Sequence, residues 1–330
     1  MDHGKALIYK SYGLPKEVVE LESRTETSPG SGEVKIRMLA APIHPSDFGM
    51  ILGKYGRLAE LPAVAGREGI AEIAELGEDT GSLEIGDRVT VPSGTGSWQE
   101  TAVVRAADLF NIPKDIPVEM AAMVMINPPT AWRLLRDVEM SEGDWVIQNA
   151  ANSAVGLHVI EMAHYLGLKT LNVVRREELI EPLMKLGADT VVLEESGYEK
   201  QVKEITGGKT VRLALNSIGG ESAMRLIKSL SPGGLHVTFG AMQFETVRFP
   251  TRALIFDDIT IKGFWMDKWI RDQSKARIQI MFDKIFDLMR KGIVNPSVAE
   301  TYSLDDYKEA LEGSLKPRLG KVLFRMDSGS

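Results

Sequence analysis

The stretch IQNAANSAVG, residues 147–156, ends an apolar run and opens an amphipathic one. A loop in that place can hold a pyrophosphate. Dinucleotide-binding loops usually read G-x-G-x-x-G: the first glycine turns the chain, the second lets backbone approach the phosphates, and the third lets the helix pack on the strand. Here the three positions are Ala151, Ser153 and Gly156. Small side chains keep most of the clearance. Asn152 and Ser153 add donors at a helix start, where backbone N–H groups and the dipole already favour an anion. Ala154 and Val155 lead from them into the helix. Taken alone, A-x-S-x-x-G also describes an ordinary strand–helix turn without a ligand, so the surrounding elements must decide.

Those elements alternate. WVIQNA reads as a strand, and SAVGLHVIEMAHYLG as a helix with Val155, Val159, Met162, Ala163 and Leu166 on one face. TLNVV, TVVLE, RLALNSI, LHVTFG and ITIKGFW follow as strands, with helices EELIEPLMKLG, YEKQVKEITGG and ESAMRLIKSLSPGG among them. Six strands with the loop after the first predict a doubly wound parallel sheet, the dinucleotide-binding pattern of an α/β fold. Upstream, VEMAAMVMINPPTAWRLLRDV predicts two helices interrupted at Pro128-Pro129. The first third carries short apolar runs between turn signals, such as KALIYKSYG, EVKIRML with its period of two, and GDRVTVPSG, which predicts a β-rich domain. Helix ARIQIMFDKIFDLMRKG and strand GKVLFRM come last. We expect a β-rich domain over 1–118 and 266–330, with the dinucleotide-binding domain, 119–265, inserted in it.

The second strand, TLNVV, runs into Arg175-Arg176. An NAD site usually has Asp or Glu about 20 residues beyond the loop, for the ribose 2′-OH. A guanidinium there suits a 2′-phosphate instead, which points to NADPH. The alternative is a pair of solvated surface charges. Composition limits the rest. A chain of 330 residues, 44% hydrophobic and 26% charged, is ordinary globular protein of two-domain size, and a net charge of −7 argues against a nucleic-acid partner. No apolar run is long enough to span a bilayer, so no membrane role is expected. There are no cysteines, which removes disulfides, thiolate metal ligands and a cysteine nucleophile. His3, His44, His158, His164 and His236 show no metal-ligand spacing, and we expect no catalytic metal.

GREGIAEIAELGEDTGSLEIGDRV resembles a segment of the medium-chain dehydrogenases/reductases. In their zinc-dependent members a histidine stands between the glycine and the glutamate; here that position is Arg67, in Gly66-Arg67-Glu68. Within that superfamily the chain resembles the 2-enoyl thioester reductases of the mitochondrial trans-2-enoyl-CoA reductase type. MLAAPIHPSD, GKYGRLAELPAVAGREG, INPPTAWRLL, VIQNAANSAVG, LKTLNVVRR, IKGFW and GKVLFRM carry the resemblance from about residue 8 to the end. It implies a Rossmann domain inserted in a GroES-like catalytic domain, with the glycine-poor loop as a variant suited to NADPH.

The resemblance also implies roles. Tyr55 in GKYG matches the catalytic tyrosine. Asn127 matches a cofactor-contacting asparagine near the nicotinamide, and Asn152, Ser153, Ala154, Val155 and Gly156 match the pyrophosphate loop. Arg175 and Arg176 match the 2′-phosphate site, although the family often has an acidic residue where Arg176 stands. Phe239, Gly240, Ala241 and Met242 match one cofactor-facing strand end, and Phe264, Trp265 and Met266 a second. Lys321 matches a lysine near the cofactor. Phe239 and Ala241 depart from the tyrosine and glycine expected of the family. Each role has a plainer competitor: a packed loop aromatic for Tyr55, a helix cap for Asn127, core packing for Trp265, a surface lysine for Lys321.

The implied reaction is zinc-independent reduction of a trans-2-enoyl thioester by NADPH, hydride to C3 and proton to C2. A tyrosine phenol is ordinarily protonated at neutral pH and can donate. The thioester carrier is CoA or acyl carrier protein, and Arg248, Arg252, Lys268 and Arg271 are candidate carrier contacts. The rival activities are a quinone or enone reductase of the same superfamily and a non-catalytic NADPH-binding protein. The edge strand ITIKGFW would be open in a monomer, so a homodimer through it is expected. The family's mitochondrial leader is lacking, so a cytoplasmic location is expected.

Overall fold

The computed structural model describes residues 3–241 and 245–326. Contacts divide the chain into two units, Met1–Ile126 with Pro296–Ser330, and Asn127–Asn295. The second unit therefore begins at 127 rather than 119 and runs past 265 to 295. The reason lies in helix Lys275–Arg290. Its stripe Ile278, Met281, Phe282, Ile285, Phe286 and Met289 is buried, and the helix packs against helix Asn127–Arg136. A stripe of that spacing must be covered, and the second unit covers it.

The first unit opens with strands β1 (His3–Tyr9), β2 (Val19–Thr25), β3 (Glu33–Pro42), β4 (Ala63–Val64), β5 (Ile70–Leu76), β6 (Arg88–Thr90) and β7 (Thr101–Arg105). β1 pairs antiparallel with β2 and β4, while β3 pairs antiparallel with β5 and β7. β3 departs from its alternating sequence. Most of its residues are buried, including Lys35 between Val34 and Ile36. Lys35 keeps its charge satisfied by pairing with Glu26 at 2.6 Å and Glu75 at 2.9 Å.

The second unit holds β8 (Trp145–Gln148), β9 (Lys169–Val174), β10 (Thr190–Leu193), β11 (Val211–Asn216), β12 (Leu235–Thr238) and β13 (Thr260–Gly263). All neighbours are parallel, in the order β10-β9-β8-β11-β12-β13. This is the doubly wound arrangement that the alternation predicts, with the order reversing beside β8. Two helices do form, Val118–Ala121 and Asn127–Arg136, but the interruption falls at 122–126 rather than at the prolines. Pro128 and Pro129 sit in the first turn of helix Asn127–Arg136, where missing N–H groups leave no bond unmade. YEKQVKEITGG makes only two short turns, Tyr198–Lys200 and Val202–Ile205.

The chain then re-enters the first unit with β14 (Val298–Tyr302) and β15 (Lys321–Arg325), and β15 pairs with β3. The core of this unit joins both parts of the sequence. Ile36, Met38, Ile73 and Trp98 come from the first part, and Val322 and Phe324 from the second. Trp98 meets Phe324 edge to face at 5.2 Å.

Candidate active site

In the second unit the loop after β8 turns at Ala150, which takes φ +46°. That left-handed conformation falls one position before the first fingerprint site and on a residue with a Cβ, where it carries strain of about 1 kcal/mol. Ser153 N–H donates to Ala150 O at 2.8 Å, and Ser153 Oγ accepts from Gly156 N–H at 3.1 Å as the cap of helix Ala154–Tyr165. Gly156 is needed for clearance: a Cβ there would stand 2.5 Å from the Ala151 carbonyl oxygen. Below the loop, Gln148 donates to Gly156 O and to Asn172 Oδ1, which ties the helix start to β8 and β9. Asn152, Ser153, Ala154 and Val155 stay partly accessible around this turn.

The expected segments that follow β9, β12 and β13 lie at the same carboxyl edge of the sheet. Arg175 follows the end of β9 and is exposed, while Arg176 donates to Glu178 at 3.0 Å. The two arginines are thus unequal: Arg176 already has a carboxylate partner. Phe239 and Gly240 follow β12 and are half-buried; Ala241 is exposed, and Met242 lies outside the described residues. Gly240 lies against Ser217, which a Cβ would approach at 3.0 Å. Phe264 and Trp265 follow β13, with the Arg271 guanidinium 4.9 Å from the Trp265 ring centre. Met266 is buried in the first turn of helix Met266–Arg271, a packing position. Asn127 opens its helix and is buried, and its Nδ2 has no hydrogen-bond partner among the described residues. A buried donor without an acceptor is costly unless a ligand supplies one.

An asparagine network, unanticipated from the sequence, stiffens this edge. Asn149 donates to Asn216 Oδ1 at 2.8 Å and to Ser222 Oγ at 3.0 Å, and its own Oδ1 accepts from Ser217 N–H. The asparagines in IQNA and ALNS were the only signal. Of the candidate carrier cations, Arg271 pairs with Asp267 on its own helix, Lys268 pairs with Asp272 at that helix's C-cap, and Arg252 lies over Phe256.

The first unit holds Tyr55 and Lys321. Tyr55 lies beyond helix Pro45–Ile51, half-buried, with its ring on Gly49. Arg67 donates from Nη1 to Tyr55 Oη at 2.8 Å, and its guanidinium carbon is 4.4 Å from the Tyr55 ring centre. Behind them is a buried set of titratable groups. His44 Nε2 and Glu68 Oε2 are 2.6 Å apart, and Glu68 Oε1 accepts from the N–H groups of Met125 and Ile126. Asp47 accepts from His44 N–H and caps its helix. Lys321 is buried at the start of β15, not a surface lysine, and its Nζ is 3.5 Å from Ile43 O.

Burial dominates this set. It pushes the Glu68 carboxyl up to about 7, against the pull of two backbone donors and of Lys321 and Arg67. It lowers the Lys321 ammonium to about 8, against the pull of Glu68 and Asp47. His44 falls well below its ordinary value through burial, then through Lys321. From the sequence, His44 was in view only as one of five histidines without metal-ligand spacing, and its pairing across 24 residues with Glu68 was not legible.

The family model described as Alcohol dehydrogenase GroES-like domain matches residues 30–114, and the one described as Zinc-binding dehydrogenase matches residues 154–283. The mitochondrial enoyl-[acyl-carrier-protein] reductase of Rattus norvegicus is 41% identical over 323 residues, covering 96% of this chain and 86% of that protein. The chain belongs to the enoyl thioester reductases of the medium-chain dehydrogenase/reductase family. Among solved structures, Etr1p in complex with NADP and crotonyl-CoA superposes with a TM-score of 0.91 at 27% identity, covering 98% of this chain and all of that one. The mitochondrial 2-enoyl thioester reductase Etr1p/Etr2p heterodimer from Candida tropicalis gives 0.90 at 26%, covering 98% of this chain and 100% of that one.

The family model's name raises zinc, and the donors here do not suit it. Among the described residues no group of three or more His, Cys, Asp or Glu side chains is arranged for a metal. The chain has no cysteine, His44 is spent on Glu68, and the position between Gly66 and Glu68 is a guanidinium. A dinucleotide suits the second unit: a capped helix start with clearance at Gly156, an exposed Arg175, and an unpartnered buried amide at Asn127.

Proposed function

We propose that the chain reduces trans-2-enoyl thioesters with NADPH, without zinc. Relatives named enoyl-[acyl-carrier-protein] reductase across nearly the whole chain support this reading, as does the likeness to a structure holding NADP and crotonyl-CoA. The single observation from the molecule itself that carries it is the Tyr55 phenol oxygen, which accepts from Arg67 Nη1 at 2.8 Å with the guanidinium 4.4 Å from the ring centre.

NADPH supplies the hydride that reaches C3 of the enoyl thioester when it is bound. The residues of the loop after β8 do the holding: Ser153, Asn152 and the N–H groups at the start of helix Ala154–Tyr165 take the pyrophosphate, and Gly156 keeps the helix close to the strand. Arg175 takes the 2′-phosphate, and Arg176, shared with Glu178, adds less. Asn127 gives its unpartnered Nδ2–H to the nicotinamide end. Electrons displaced by the hydride collect on the thioester oxygen, and C2 of the enolate takes a proton. Tyr55 delivers or orients that proton. The carrier, CoA or acyl carrier protein, stays open; crotonyl-CoA and an acyl-carrier-protein thioester compared side by side distinguish them.

The working form we propose is a homodimer paired through β13. Its four residues are all exposed, β12 is its one hydrogen-bonded neighbour among the described strands, and Ile255 and Phe256 nearby are 66% and 69% exposed. An open, partly apolar edge is a pairing surface. Light scattering that returns a monomer mass contradicts this. We place the protein in the cytoplasm, a reducing compartment that suits its lack of cysteine; a full-length tagged chain found in an organelle contradicts that.

The activity test follows NADPH absorbance with crotonyl-CoA, a longer trans-2-enoyl-CoA and a simple quinone, each also with NADH. Thioester-dependent NADPH oxidation supports the proposal. Turnover with the quinone alone, or binding without turnover, replaces it with one of the rival activities.

A further inference from the structure

The position between Gly66 and Glu68, a histidine in zinc-dependent relatives, carries Arg67, and its guanidinium touches Tyr55 twice. We infer that Arg67 is a positioning residue for Tyr55, fixing the ring and dictating which way its hydroxyl proton points. The inference rests on the reductase reading, in which Tyr55 serves the proton step.

Three features carry it. First, the backbone beneath Arg67 is pinned on both sides. Gly66 takes φ +88°, and a Cβ there would meet Ser97 Oγ and the Trp98 ring at 2.4 Å, so the turn accepts only glycine. Glu68 is buried and held by His44 and by the N–H groups of Met125 and Ile126. The buried carboxylate thus serves as an anchor for the residue next to it. Second, the two contacts to Tyr55 fix different freedoms. The guanidinium over the ring, 4.4 Å from its centre, opposes rotation and tilting of the ring, while the 2.8 Å hydrogen bond fixes the hydroxyl end.

Third, the hydrogen bond has only one possible polarity. A guanidinium carries five N–H donors and no acceptor. Tyr55 Oη must therefore accept, and its own hydrogen is excluded from that contact. An amide or carboxylate at residue 67 could take the phenol hydrogen; arginine cannot. As C2–H forms on the enolate, the Tyr55 O–H bond breaks, and the adjoining cation stabilises the phenolate until water returns the proton.

Arg67→Met removes donor and charge at similar length, and Arg67→Lys keeps a donor-only cation without the planar fork. Both are made in the wild-type and Tyr55→Phe backgrounds, checked for unchanged melting, and assayed for NADPH oxidation with saturating crotonyl-CoA. We expect Arg67→Met to lower kcat by about tenfold or more with a raised solvent isotope effect. KM should stay within about threefold, and Arg67→Lys should recover most of the loss. In the Tyr55→Phe background the same Met substitution should change kcat by less than about twofold, because the hydroxyl it acts through is gone. An equal fold loss in both backgrounds, or an Arg67→Met enzyme with wild-type kcat, overturns the inference and leaves the reductase reading standing. A wild-type chain that oxidises no NADPH with any enoyl thioester overturns both.

Discussion

Replacing Gly156 by alanine sets two effects of opposite sign against each other. Gly156 is in the first turn of helix Ala154–Tyr165, and helix propensity alone favours alanine over glycine by about 1 kcal/mol. The new Cβ, however, would stand 2.5 Å from Ala151 O and 2.8 Å from both Ala151 C and Cα, all backbone atoms of the loop. Ordinary contact begins near 3.4 Å, so loop and helix must part by roughly 0.5–1 Å, an overpacking that costs about 1–3 kcal/mol. The parting also stretches the 3.1 Å bond from Gly156 N–H to Ser153 Oγ, a cap worth about 1 kcal/mol. The clash wins: net destabilisation is about 1–3 kcal/mol, a drop of several degrees in melting temperature at ~2–4 °C per kcal/mol. NADPH should bind at least about tenfold more weakly, or 1.4 kcal/mol, because the displaced groups are those proposed to hold the pyrophosphate. Thermal melting with and without NADPH, with a fluorescence titration of the cofactor, reads both quantities. Ser153→Ala, which removes the cap alone, should fall between the two. A Gly156→Ala protein that melts at or above wild type and binds NADPH with unchanged Kd would refute the argument.

Arg175→Ala should raise the Kd for NADPH by about tenfold or more while leaving NADH nearly unchanged, and Arg176→Ala should do less because Glu178 already holds it; equal losses for both cofactors remove the 2′-phosphate assignment. His236 is fully buried with neither ring nitrogen bonded among the described residues, and burial pushes it down to about 4. The unfolded chain takes up that proton first, so stability is complete above about 6.5 and falls by up to about 3 kcal/mol as pH drops towards 4. Denaturant titrations should show His236→Leu flattening this acid slope; an unchanged slope contradicts the burial argument. Glu68→Leu should destabilise by about 3–5 kcal/mol, since it strands two backbone donors, His44 and Lys321, whereas Glu68→Gln keeps an acceptor and should cost about 1–2 kcal/mol. Equal losses for the two would count against the anchoring role of the carboxylate.

Local periodicity made the parallel sheet legible. Each strand of the second unit is a short apolar run before a helix, and chain order with right-handed crossovers leaves few ways to assemble them. The loop was legible as well, because Ser153 and Gly156 act through neighbours three residues or so away. Ala150 was not: nothing in an alanine's identity announces a left-handed turn. The domain boundary was missed at helix Lys275–Arg290 because an amphipathic stripe tells that a helix is covered, not by which unit. Arg67 was visible only as a departure from a metal ligand. Its meeting with Tyr55, like that of His44 with Glu68 and the burial of Lys321, depends on contacts between residues far apart in sequence, which spacing does not encode.

Enoyl thioester reduction as proposed delivers a solvent-derived proton to C2. The most direct measurement is reduction of crotonyl-CoA by unlabelled NADPH in deuterated water, with the product read by mass and NMR for wild type and Tyr55→Phe. Butyryl-CoA with one deuterium at C2 and none at C3 is the expected product, formed far more slowly by the variant. Deuterium at C3, or a saturated product formed equally fast without the Tyr55 hydroxyl, would contradict it.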